Sequence, residues 1–80
     1  MDEVEQRVLS CFRAVFPDVE SRELTVLDQA THPVWDSVAH VTLVAALEET
    51  FEHPFDFEAF HEATTYGQLV AVVKAQLPRA

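Results

Sequence analysis

The sequence predicts an all-α fold of four helices, with a long loop between the first two and a short third helix. Three observations carry this. Apolar residues recur at three- and four-residue steps, and nothing alternates at period two. The four prolines stand between or after those periodic stretches, where helices stop. The 80 residues are 49% hydrophobic with six Phe, enough for one small folded core, so residues 1–80 read as a single domain.

Val4, Val8, Cys11, Phe12, Val15 and Phe16 mark an amphipathic first helix, stopped by Pro17. Residues 17–36 lack a sustained period and read as a loop carrying Leu24, Val26, Leu27 and Trp35 inward. A loop of about twenty residues is unusual in a small domain and is often functional. The second helix runs from Ser37 to Phe51, with Asp36 as its N-cap and Pro54 ending any continuation. Phe55, Phe57 and Phe60 place a short third helix near 57–62, in a Phe cluster with Phe51 that reads as core. Thr64 or Thr65 caps the last helix, whose inner side carries Tyr66, Leu69, Val70, Val73 and Leu77 before Pro78 closes it. Four helices with one long connection fit a small bundle.

The net charge of −9 is concentrated in one region. From Glu23 to Val73 there is no Lys or Arg, yet that block holds nine acids. Outside it, acids and bases balance. Such a surface repels phosphates, which argues against nucleic acid, and it attracts basic protein surfaces. No apolar run is long enough to span a bilayer, so no membrane partner is expected. The acidic N-terminus does not resemble a signal peptide, and a lone Cys11 suits a reducing cytoplasm.

On a helical wheel the second helix has two apolar faces. His40, Leu43, Val44, Leu47 and Phe51 fall within roughly 100° of one another and form the core face. Val38, Val41 and Ala45 lie opposite, accompanied by Thr42, Glu48 and Glu49. A chain this small cannot bury both, so the second stripe reads as a docking surface for a partner with an apolar groove and a basic rim. Scattered surface valines are the plainer account of it.

Ser37 stands where that stripe begins. Asp-Ser at a helix start is ordinarily a cap. Here Asp36 suffices as the cap, which leaves Ser37 spare, at a helix N-terminus that favours an attached phosphate. The segment Trp35-Asp36-Ser37-Val38-Ala39-His40-Val41 and the downstream Ala46-Leu47-Glu48-Glu49-Thr50-Phe51 resemble the attachment segment of acyl carrier proteins. The resemblance continues through Phe55-Asp56 and Ala63-Thr64-Thr65-Tyr66-Gly67, and covers essentially the whole chain.

The resemblance implies an acyl-carrier-like four-helix bundle with no catalytic residues of its own. Ser37 would carry 4′-phosphopantetheine, attached by a phosphopantetheinyl transferase using coenzyme A and magnesium. The arm's thiol would hold an acyl thioester for acyl-loading and acyl-processing enzymes with basic docking surfaces. Asp36 matches the acidic residue of transferase recognition. Glu48 and Glu49 match the acids that meet partner enzymes, and Val38, Val41 and Ala45 the apolar docking positions beside them. Val38 replaces the family's Leu, Ala39 and Thr42 replace commonly acidic positions, and no glycine precedes Asp36. These departures point away from housekeeping fatty-acid synthesis, toward a stand-alone, monomeric carrier for polyketide, other natural-product or cell-surface precursor assembly. Two alternatives remain: an aminoacyl or peptidyl carrier, and an unmodified acidic helical adaptor.

His32, His40, His53 and His61 are too widely spaced for a metal site. His40 is expected beside the core, bordering a space that would shelter an acyl chain. Cys11 reads as a small buried hydrophobe. A single glycine excludes phosphate-binding and calcium loops, and no base is recognisable near Ser37 for a serine hydrolase.

Overall fold

Asp2 opens the first helix by accepting the Glu5 N–H on Oδ1 at 2.8 Å. The computed structural model describes residues 2–77. The described residues are all-α: α1 (Glu3–Val15), α2 (Ser21–Leu24), α3 (Ser37–Phe51), a 3₁₀ helix (Phe57–Phe60) and α4 (Tyr66–Gln76). Among them no helix is long and apolar enough to cross a membrane. The expected Pro78 stop lies outside the described residues.

The stretch after α1 differs from its expectation in two ways. It contains one helical turn, α2, too short to display a period. Val26 does not point inward but is 66% exposed. The chain keeps winding past α2, with Val26 N–H on the Glu23 carbonyl and Leu27 N–H on the Leu24 carbonyl. Leu24 and Leu27, three residues apart, therefore share the buried side, and Val26 falls outside it.

The rest of the loop is pinned. Asp28 makes an isolated antiparallel bridge with Thr65, and Gln29 N–H bonds to the Thr64 carbonyl at 2.8 Å. Asp28 Oδ1 accepts the Ala30 N–H at 2.8 Å, and its carbonyl accepts the His32 N–H at 2.8 Å. Trp35 N–H then bonds to the His32 carbonyl at 3.0 Å, which delivers the indole into the core.

α3 ends at Glu52, whose φ of 49° is left-handed, and the His53 N–H returns to the Glu48 carbonyl at 3.2 Å. Asp56 starts the 3₁₀ helix by accepting the Glu58 N–H at 3.1 Å. This element stops at Phe60, short of the expected 62: the Glu62 N–H does not continue its run of bonds, and a separate turn follows in which the Ala63 N–H meets the Phe60 carbonyl. Of the two threonines, Thr65 caps α4: its Oγ1 accepts the Gln68 N–H at 3.2 Å, and Gln68 Oε1 accepts the Thr64 N–H at 3.0 Å.

α1 packs against α2, α3 and α4, and the 3₁₀ helix packs against α4. Phe12 is the hub, meeting Trp35 and Tyr66 edge-on at centroid distances of 5.4 and 5.2 Å. Phe55 and Phe60 are buried and Phe51 is partly so. Phe57 departs from the core assignment and is 41% exposed. Cys11 is buried with its sulfur 3.3 Å from Thr50 Oγ1, and burial pushes its thiol pKa up.

Candidate functional site

The start of α3 divides two tasks between adjacent residues. Asp36 has extended backbone geometry, and its Oδ1 accepts the Ala39 N–H at 2.8 Å. Its carbonyl accepts the His40 N–H at 2.9 Å, the first bond of the helix. Ser37 is exposed, and no hydrogen bond among the described residues engages its hydroxyl. The N–H groups of Ser37 and Val38 precede the intrahelical ladder and have no partner among the described residues. A phosphoryl group on Ser37 Oγ would therefore sit where free amides and the helix dipole favour negative charge.

The outward stripe adjoins this serine. Val38 is 75% and Val41 53% exposed, and Ala45 is exposed beyond them. Val34 and Phe57 add further exposed apolar surface from the loop and the 3₁₀ helix. Thr42 is exposed, but its hydroxyl donates to the Val38 carbonyl at 2.9 Å. The two glutamates separate. Glu49 is exposed, whereas Glu48 is half-buried and its Oε2 accepts the Phe55 N–H at 2.9 Å. Glu48 thus holds the chain as it returns after Pro54.

The opposite face behaves as core. Leu43, Val44 and Leu47 are buried, Phe51 is partly buried, and His40 is only 7% exposed. The Trp35 indole N–H donates to His40 Nδ1 at 3.2 Å, and His40 Nε2 lies 2.9 Å from the Phe60 carbonyl. An acceptor at Nδ1 and a donor at Nε2 define the neutral Nε2–H tautomer. Both ring nitrogens are committed, so His40 has no lone pair free to take a proton from Ser37.

A cleft of about 390 Å³ opens beside Ser37, lined by Gln29, Ser37, His40, Val41, Phe57 and His61. His40 borders open space as expected, but that space is a surface cleft. Gln29 and His61 were not foreseen here. Gln29 arrives through the pairing of its N–H with Thr64, and His61 follows the 3₁₀ helix, so neither has a sequence signal. A wider hollow of about 520 Å³, lined by Glu58, Ala59, His61 and Glu62, does not reach Ser37. Among the described residues no three His, Cys, Asp or Glu side chains converge as a metal site.

No protein-family model, curated protein or solved structure matches this chain.

Proposed function

We propose that the chain is an acyl carrier protein bearing 4′-phosphopantetheine on Ser37. The observation that carries this reading is the division of labour at the head of α3. Asp36 satisfies the cap, and Ser37 presents an unengaged hydroxyl at the near end of an exposed apolar stripe. A serine serving only as a cap would hold a first-turn N–H, and this one holds none.

The residues fit the group. In the transfer, the Ser37 oxygen would lose its proton and bond to the pantetheine-side phosphorus of the coenzyme A diphosphate, and the bond from that phosphorus to the bridging oxygen would break, releasing adenosine 3′,5′-bisphosphate. When attached, the group supplies a terminal thiol on which an acyl chain is held as a thioester. Asp36 keeps the first turn of α3 fixed beneath the attachment point and offers its second carboxylate oxygen to the transferase. Val38, Val41 and Ala45 supply a narrow apolar contact, and Glu49 a charge for a basic partner. Weak, electrostatically steered docking suits a carrier that must visit several enzymes of a fatty-acid, polyketide or other specialised pathway.

The test is intact-mass measurement after incubation with coenzyme A, magnesium and a phosphopantetheinyl transferase. Wild type should gain one prosthetic group and Ser37→Ala none. No gain on wild type would overturn the reading in favour of an unmodified acidic adaptor, which the outward stripe alone would explain. If Ser37 is modified, loading by acyl-activating against amino-acid-activating enzymes distinguishes an acyl from an aminoacyl carrier.

A further inference from the structure

We infer that the cleft beside Ser37 holds the near part of the pantetheine arm, and that the acyl cargo stays outside the bundle. This rests on the carrier reading of Ser37. Proximity decides which part of the group the cleft receives, because Ser37 is itself one of its lining residues. The arm next to its phosphate carries two methyl groups, a hydroxyl and an amide. The cleft offers a matching set. Val41, Phe57 and the His40 ring are apolar contacts, whereas the Gln29 amide and the His61 imidazole have no hydrogen-bond partner among the described residues.

His40 closes the back of this cleft. It is a lining residue, but Trp35 and Phe60, to which its two nitrogens are bonded, are not. Its ring stacks on Trp35 at 6.0 Å and meets Phe57 edge-on at 6.2 Å. Trp35, Phe60, Leu43 and Leu47 are fully buried members of the hydrophobic core. An alkyl chain entering the core from the cleft would have to break both His40 hydrogen bonds. A chain left in solvent breaks none.

Nuclear magnetic resonance of the apo, holo, butyryl and octanoyl forms tests this, with intact mass confirming each form. Going from apo to holo should shift the Gln29 side-chain amide and the Phe57 and His61 rings. Octanoylation should leave the Trp35 indole N–H and the Leu43 and Leu47 methyls where they are in the holo form. Gln29→Ala and His61→Ala lie outside the core, so they should keep the fold and the mass gain but lose the Phe57 shift. Modification without any shift at the cleft would overturn the inference and leave the carrier reading standing. Octanoyl-dependent shifts of Trp35, Leu43 and Leu47 would also overturn it. Absence of any mass gain would remove both.

Discussion

Trp35 donates its indole N–H to Nδ1 of His40, five residues along the chain, and the two rings stack at 6.0 Å with 23° between their planes. With the His40–Phe60 bond, this joins the end of the loop, the first turn of α3 and the 3₁₀ helix at one buried imidazole. Replacing His40 with Leu keeps the volume but leaves the buried Trp35 indole N–H unpaired, while the Phe60 carbonyl keeps only its bond from the Ala63 N–H. A buried donor left unpaired costs about 1–3 kcal/mol, so His40→Leu should destabilise the fold by about 1–3 kcal/mol. Urea unfolding followed by the fluorescence of Trp35, the only Trp, reads this directly. A loss under about 0.5 kcal/mol would mean the network is not holding the three elements together.

Asp36 and Ser37 should separate cleanly under mutation. Asp36→Ala removes the acceptor of the Ala39 N–H and should cost about 1 kcal/mol, as N-cap deletions do. Ser37→Ala touches no hydrogen bond and should stay within about 0.5 kcal/mol of wild type. Chemical denaturation of the unmodified proteins compares the two. If Ser37→Ala were the more costly, the serine would be the structural residue and the attachment reading would lose its main support.

Glu52 holds a left-handed conformation at the end of α3, with φ 49° and ψ 44°. A non-glycine residue there bears a steric penalty of about 1–2 kcal/mol, which glycine relieves while adding backbone entropy of about 0.5–1 kcal/mol to the unfolded chain. Glu52→Gly should therefore stabilise the domain by about 0.5–1 kcal/mol, whereas Glu52→Val should destabilise it. Thermal unfolding of the pair against wild type checks both signs.

What could be read before the structure follows from what is local. The span of α3 was legible because a cap, an apolar period and a proline all act within a few residues of where they stand. The two faces of α3 were legible for the same reason. The turn α2 was not, because four residues show no period. Val26 was misplaced because a loop carries no wheel. The Phe60 carbonyl that His40 meets lies twenty residues along the chain, and Gln29 reaches the cleft beside Ser37 with its N–H held by Thr64, so neither follows from a local pattern. The wheel groups Glu48 with Glu49 on the outward face, but the return of the chain at Phe55 gives them different tasks.

The start of α1 is joined to α4 by Lys74, whose Nζ lies 2.5 Å from Asp2 Oδ2 and 3.8 Å from Glu5 Oε1. The Lys74 hydrogen bond, with the Glu5 N–H, holds the Asp2 carboxyl below its usual pKa, and Asp2 holds the Lys74 ammonium above its own. The Asp2 contribution is complete above the ordinary aspartate value of about 3.9 and is lost as pH falls through the lowered folded value. The Lys74 contribution is complete below about 10.4 and is lost as pH rises through the raised one. Between these limits the pair should give a flat profile. Lys74→Gln should lower stability on this plateau and flatten both flanks, most visibly at low salt because the pair is exposed. Urea midpoints across pH for the two proteins make the comparison, and superimposable flanks would refute it.

Glu48 and Glu49 make the sharpest contrast for partner recognition, because one carboxylate is occupied inside the fold and its neighbour is free. Glu48 accepts the Phe55 N–H, so Glu48→Ala should cost about 1–2 kcal/mol of stability. Glu49 is exposed and its carboxylate has no hydrogen-bond partner among the described residues, so Glu49→Lys should leave stability within about 0.5 kcal/mol. In the carrier reading, Glu49 meets the basic rim of the transferase. Reversing its charge should then lower kcat/KM for modification, with the difference from wild type shrinking as salt rises. A salt-independent loss would point to shape instead of charge. An unchanged rate would move the electrostatic contact to Glu52 or Asp36, the other acidic side chains bounding α3.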